Sequence, residues 1–318
     1  MQFTVATSLR EYLGRAYTLW QQTLAETWPL TEAEFRQHIG SGLLVQENHA
    51  VLAEDGNELI GFLLVQLART YAETLNATID LIVVAPEHQR QGVGTFLLEM
   101  AIDHCHTLNV AEVRIGGGPS YFWPGIPTNL PAAQAFFAKH GWVGSWTAAD
   151  MARDIRQYET PAWVYERASE TPLRFEVCAE ADVYPLFAFV KREYADWYNH
   201  YSIVANLGDY HDVLLAKDED GTIIGALILG SPQSTPYRLH SRWSDLLGAE
   251  SGSIGAVLIA EAVRRRGIGL ALVAWGVETL RDRGCSVCHI GWTWLVEWYG
   301  RLGFDVWQTY AMCEPRQP

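Results

Sequence analysis

Two stretches of the chain carry the same succession of apolar and polar segments in the same order. Residues 53–64 and 216–227 each read as an apolar run, a polar turn containing Asp and Gly, and a second apolar run, which predicts a β-hairpin. An apolar stretch follows in each, 79–85 and 254–260, and predicts a buried strand. Helical spacing then takes over at 94–108, where Phe96, Leu97, Met100 and Ala101 share a face, and again at 269–283. Short strands are predicted at 112–115 and 286–290. Each copy ends on a short helix and an aromatic-glycine-aromatic signature: Phe136-Phe137 with Gly141-Trp142, and Trp298-Tyr299 with Gly303-Phe304. The glycine is the residue expected to end that helix in the left-handed conformation.

The repeat predicts two domains, 1–166 and 167–318, in line with about 150 residues per domain. Residues 150–155 are expected to close the first sheet, and 173–177 to open the second copy as 3–5 open the first. The copies differ by two insertions. A Gly/Pro/aromatic loop, 116–131, precedes the last helix of the first; a polar loop, 231–250, precedes the central strand of the second. Loops of this length are usually functional. The run from Tyr121 to Pro127 is therefore expected to cover an acceptor.

Composition narrows the function classes. With 49% apolar and 19% charged residues, ordinary buried cores are expected. A formal charge of −14 disfavours nucleic acid as a partner and suits a cationic one. No apolar run approaches the roughly 20 residues of a membrane span, and no signal peptide is visible, so no membrane partner and a cytoplasmic location are expected. The five cysteines suggest no disulfide framework. Cys285-Ser286-Val287-Cys288-His289 matches a haem-attachment pattern, but it lies where the repeat requires a buried strand and lacks a second ligand pair. No metal site is expected.

The chemistry lies between the buried strand and the long helix. Residues 89–94 read Gln-Arg-Gln-Gly-Val-Gly and residues 264–269 read Arg-Arg-Arg-Gly-Ile-Gly. A glycine-rich turn at a helix start presents free N–H groups at the positive end of the helix dipole, a seat for phosphate oxygens. The turn lacks the third glycine of a dinucleotide fingerprint and the Gly-Lys-Ser/Thr of a Walker loop. With the hairpin before it and the aromatic-glycine signature after it, residues 81–94 resemble the "V-x-P-x-x-R-x-x-G-x-G" stretch of the GNAT acetyltransferase superfamily. The second copy keeps the glycines but has Glu261 in place of Pro86.

The resemblance implies an α/β (α+β) fold of two tandem acyl-CoA N-acyltransferase domains, each a mixed, mostly antiparallel sheet flanked by helices. It implies acetyl-CoA as co-substrate and splayed central strands that admit the pantetheine arm. Val83, Val84, Gln89, Arg90, Gln91, Gly92, Val93, Gly94 and Thr95 would bind it in the first copy. Leu258, Ile259, Arg264, Arg265, Arg266, Gly267, Ile268 and Gly269 would do so in the second.

Acetyl transfer to an amine needs a base, an oxyanion donor and an acid for the thiolate. The family's acid, a tyrosine in the last helix, matches Tyr299; the first copy has Phe137 there. The acidic residue that family members often carry on the central strand matches Asp80; the second copy has no carboxylate over 252–255. His88 and His289 are further candidate bases, each also readable as an ordinary surface or strand histidine. The expected activity is N-acetylation of a primary amine on a small molecule or peptide, by a monomer or homodimer. The alternative is an inactive acyl-CoA-binding sensor.

Overall fold

The computed structural model describes residues 1–40, 47–70, 73–118, 122–169, 172–235 and 243–318. Tyr121, parts of both inserted loops and residues 170–171 lie outside the described residues.

In chain order the first elements are β1 (Gln2–Ala6), α1 (Leu13–Thr23), α2 (Glu32–Gly40), β2 (Glu47–Asp55), β3 (Glu58–Arg69) and β4 (Leu75–Val84). There follow α3 (Val93–Thr107), β5 (Glu112–Ile115), β6 (Ile126–Pro127), α4 (Pro131–Lys139), β7 (Gly144–Asp154) and α5 (Ala162–Ala168). The rest are β8 (Leu173–Val177), α6 (Val183–Tyr194), α7 (Tyr198–Asn206), β9 (Val213–Asp218), β10 (Ile223–Gly230) and α8 (Ser244–Leu247). Last come β11 (Ser251–Ile259), α9 (Ile268–Asp282), β12 (Val287–Thr293), α10 (Val296–Gly300) and β13 (Asp305–Cys313).

The chain forms two compact units: Met1–Ala148 with Thr309–Pro318, and Ala149–Gln308. These differ from the 1–166 and 167–318 division of the sequence repeat. The reason is strand pairing. Residues 149–154 of β7, expected to close the first sheet, pair antiparallel with β12, from Ala149↔Thr293 to Asp154↔Val287. The chain's last residues join the first unit instead. Tyr310 and Ala311 pair with β6. Arg316 exchanges backbone hydrogen bonds with Val113 at 2.7 and 3.0 Å, and its guanidinium lies 5.0 Å over the Trp142 ring.

In the first unit the strands run in the order β1-β2-β3-β4-β5. Neighbours are antiparallel up to β4, and β4 with β5 is parallel. The α3 helix buries Val93, Leu97, Leu98, Ala101 and Cys105. Gly61 on β3 makes room for it, since a Cβ there would come within 2.9 Å of Leu97. The described part of the 116–131 loop is core rather than cover. Phe122 and Trp123 are buried, and Trp20 of α1 lies 5.5 and 5.7 Å from their rings.

In the second unit the order is β8-β9-β10-β11-β12-β7, with β11–β12 the parallel pair. Nine residues of α9 are buried against this sheet, and on an apolar face that wide burial supplies most of the helix's stability. Cys285 and Cys288, the pair in the haem-like pattern, are both buried free thiols. No group of residues able to hold a metal ion occurs among the described residues. Among them, too, no helix is long and apolar enough to cross a membrane.

Candidate active site

The two glycine turns have one backbone. After β4, Ala85 (φ −48°, ψ 135°) leads into a 3-10 turn at Pro86–His88. After β11, Ala260 (φ −52°, ψ 133°) leads into its match at Glu261–Val263. Arg90 and Arg265 then adopt φ of 59° and 68°, and Gly92 and Gly267, the residues before α3 and α9, adopt 91° and 86°. A positive φ at Gly92 and Gly267 is the reason for glycine. At Arg90 and Arg265 it is strain of the kind found at ligand clamps.

Each turn is tied back to its strand by its first motif residue. Gln89 Nε2 donates to the Val84 carbonyl at 2.9 Å, and Arg264 Nε donates to the Ile259 carbonyl at 3.1 Å. Gln91 closes on the Glu87 carbonyl at 2.7 Å. Among the described residues, the backbone N–H groups of Arg90 to Gly94 and of Arg265 to Gly269 have no acceptor. Five consecutive unsatisfied donors at the start of a 15-residue helix make a ready anion seat. The phosphates of an acyl-coenzyme A fit that donor set in both units.

Side chains around the turns differ. Phe136 lies 3.4 Å from a Cβ placed on Gly94, and Trp298 lies 3.4 Å from one placed on Gly269. Val93 and Ile268 are buried beneath the turns, while Arg90 and Arg266 are exposed. Thr95 Oγ lies 3.3 Å from His140 Nε2. The second turn has an added cation. Arg167 of α5 donates to the Arg265 carbonyl at 3.3 Å, and its aliphatic stem lies 2.9 Å from a Cβ placed on Gly267. Arg167 is the first residue after the expected domain boundary, where no motif points to it.

Between strand and turn the sheet forks. The β4–β5 pairing ends at Ile79↔Ile115 and the β11–β12 pairing ends at Ser253↔His289. Beyond these points β4 runs on to Val84, past Val83, and β11 runs on to Ile259, past Leu258, without the parallel partner. Both forked strands carry a bulge against their antiparallel neighbour, at Asp80 in one and around Ala256 in the other. Ala256 has φ 49°, and its carbonyl accepts a 2.6 Å hydrogen bond from the buried Tyr201 hydroxyl of α7.

The forks diverge in access. Asp80 and Leu81 are buried, and Gly118 is so close that a Cβ on it would overlap the Asp80 carboxylate. At the matching place in β11, Gly255 is exposed and has open space around its Cβ position. Tyr299 belongs to the second unit and Asp80 to the first, so the two expected catalytic residues form no set within one unit. Tyr299 is 7% exposed, packed among Trp298, Phe304 and the core. Burial, with the neighbouring Cys288 thiol, pushes its phenol well above the usual range. His88 is half-buried on the 3-10 turn.

His289 is a strand residue at the vertex of the second fork. Its Nε2 lies 3.4 Å from Asp150 Oδ2 of β7, with both side chains buried. Sequence reasoning missed Asp150, because it belongs to the stretch read as closing the first sheet. A separate cavity of about 790 Å³ in the first unit is lined by Arg10, Arg36, Glu47, His49 and His104 among others, and includes no turn residue.

The acetyltransferase (GNAT) family pattern matches residues 8–142 and 175–304. The chain therefore belongs to the GNAT acetyltransferase family, in tandem form, and is an acyltransferase. No curated protein matches it. Among solved structures it is similar to a GCN5-related glucosamine N-acetyltransferase region of a fungal multi-domain GH3 β-N-acetylglucosaminidase. There the identity is 28% and the TM-score 0.90, covering 97% of this chain and 37% of that longer one. A GCN5-related N-acetyltransferase from Sphaerobacter thermophilus aligns at 19% identity and TM-score 0.68, over 99% and 96% of the two chains. A tandem GNAT protein of the clavulanic acid biosynthesis pathway, solved without AcCoA, aligns at 14% identity and TM-score 0.64, over 97% of each. The last two likenesses concern the fold alone.

Proposed function

We propose that the protein transfers the acetyl group of acetyl-CoA to the primary amine of an amino sugar of the glucosamine class, and that the second unit performs the transfer. The observation that carries the reading is the open fork beside Gly255, which joins a turn of free N–H groups to a tyrosine in the position of the family's acid. Glucosamine enters from the fungal region at 28% identity. A protonated amino sugar also suits a chain of net charge −14.

In this reading Arg265 to Gly269 hold the pyrophosphate, Arg264, Arg266 and Arg167 add positive charge, and Tyr299 returns a proton to the leaving sulfur. A phenol whose pKa burial has raised stays protonated at neutral pH and is available as that donor. Thiol release from acetyl-CoA, measured on glucosamine, galactosamine, a polyamine and a peptide amine, tests the proposal. Turnover on the hexosamines above the other amines is expected. Preference for a peptide amine sinks the acceptor, and absence of acetyl-CoA binding by calorimetry sinks the donor.

A further inference from the structure

Resting on acetyl transfer in the second unit, we infer that His289 is the base that accepts the amine proton and that Asp150 is the residue that positions it. Three observations converge on this pair.

The first is place. His289 is the last β12 residue paired with β11 before the fork opens. Cys288, its neighbour in the strand, belongs to the core cluster that contains Tyr299. Successive strand residues face opposite sides of a sheet, so His289 and Tyr299 flank the vertex from opposite faces. An acid for the sulfur and a base for the nitrogen need that disposition.

The second is a built support. Asp150 is 4% exposed, and its Oδ1 accepts the Trp292 N–H at 2.6 Å, leaving Oδ2 toward His289 Nε2. That N–H is delivered by a bulge between Ile290 and Thr293 and by Trp292 at φ 58°, a strained conformation for a non-glycine residue. Gly291 completes the arrangement, since a Cβ there would lie 3.2 Å from His289 Cε1 and 3.5 Å from Asp150 Oδ1. Nε2 faces the carboxylate at ion-pair distance and makes no hydrogen bond to it; a negative charge on that side favours the proton on Nε2 and assigns the amine proton to Nδ1. The other groups facing the imidazole are Trp307 of β13, with ring centroids 5.6 Å apart, and Ser253 of β11. Among the described residues Asp150 is its charged neighbour.

The third is what the first unit lacks. The backbone pairs Val113↔Arg316 and Cys288↔Arg153 correspond, which sets Arg114 against His289 and Cys313 against Asp150. Arg114 is exposed and paired with Glu112 at 3.0 Å. The acid-base pair is thus a property of one copy.

The step balances with the chain's own groups. The amine lone pair forms the C–N bond and the C–S bond breaks with its pair on sulfur. The nitrogen proton passes to His289 Nδ1, and the sulfur takes a proton from Tyr299. Solvent carries the imidazolium proton back to the tyrosinate.

The test uses the full chain with His289→Gln and Asp150→Asn. Glucosamine and the other amines are assayed in parallel, acetyl-CoA affinity is measured by calorimetry, and the tautomer of the His289 imidazole is read from its ring nitrogen shifts by NMR without coenzyme. His289→Gln is expected to lower kcat by about 10²–10³-fold, with acetyl-CoA affinity within twofold. Asp150→Asn is expected to lower kcat by about 10-fold or more with acetyl-CoA affinity within twofold, and to release the neutral imidazole from the Nε2–H tautomer, because it removes the charge beside Nε2. Failure of glucosamine alone overturns the acceptor of the proposed function, and the pair is then read on whichever amine turns over. Turnover by His289→Gln within twofold of wild type overturns the pair. So does a loss of coenzyme affinity that matches the loss of rate, or a tautomer preference that Asp150→Asn leaves in place, an outcome read without any turnover.

Discussion

The two glycine turns agree in backbone torsions to within about ten degrees at the left-handed arginine and glycine positions, yet the chemistry around them has separated. In the first unit the fork holds a buried carboxylate beneath Gly118, and Phe137 takes the place that Tyr299 has in the second. In the second, the fork is exposed at Gly255, an Asp–His pair flanks its vertex and a tyrosine stands on the far side. Backbone geometry of this kind is kept by local requirements: a positive φ, an anchored turn, a helix start. Catalysis depends on a few side chains that drift without disturbing any of them. A preserved phosphate seat is therefore weak evidence for a preserved reaction.

The sharpest way to break this comparison is to disable each turn in turn. Gly267→Asp with Gly269→Asp places negative charge and a Cβ at the second anion seat, and should lower turnover by at least about 10²-fold. Gly92→Asp with Gly94→Asp should leave the rate within twofold. Calorimetric stoichiometry on the same variants shows whether the first seat binds coenzyme at all. Equal losses of rate from the two pairs would erase the asymmetry.

Next in size is Tyr299→Phe, expected to lower kcat about 10–10²-fold without weakening acetyl-CoA binding. Its converse, Phe137→Tyr, is expected to add no activity. A Tyr299→Phe enzyme at the wild-type rate, measured by thiol release, removes the acid from the proposal.

These expectations rest unevenly on what a reader of the sequence sees. The turns, the long helices and the strand at Glu112–Ile115 are legible to within a residue or so, since Gly92, Gly267 and the apolar periodicity act locally. Tyr299 is legible from the Gly303-Phe304 signature. Asp150 is not. Its meaning comes from a pairing with β12, and an acidic residue on an edge-like strand reads as solvent-facing until its neighbour is known. The aromatic loop misleads for a related reason. Phe122 and Trp123 look like a cover over an acceptor but fill space beside Trp20, and composition does not distinguish the two uses.

A smaller effect sharpens the contrast at the coenzyme itself. Arg167→Ala should weaken acetyl-CoA binding about 3–10-fold and reduce its salt dependence. An unchanged affinity in calorimetry would reduce Arg167 to a packing role against Gly267.

The smallest concerns stability. Lys217 of β9 is buried and bonded to Glu176 at 2.8 Å and Asp182 at 2.7 Å. The Lys217 hydrogen bond holds the Glu176 carboxyl below its ordinary 4.5. For Asp182, burial pulls upward, but Lys217 and the Ala179 N–H outweigh it and hold it below 3.8. Depressed carboxylates contribute stability above their unfolded values and lose it as pH falls through the folded ones. Lys217→Met should therefore cost the second unit about 1–2 kcal/mol at pH 7, less than a fully buried pair because the carboxylates keep some solvent. Denaturant melts of wild type and variant should converge well below pH 3.8.

The division of the chain into residues 1–148 with 309–318, and 149–308, sets an order of events during synthesis. A ribosome releases the second unit's last residue before the ten that seat against β6, Val113 and Trp142. The unit that begins the chain is the last to be complete. Until residues 309–318 arrive, β5 and β6 each wait with unpaired backbone groups, the state in which strands recruit wrong partners.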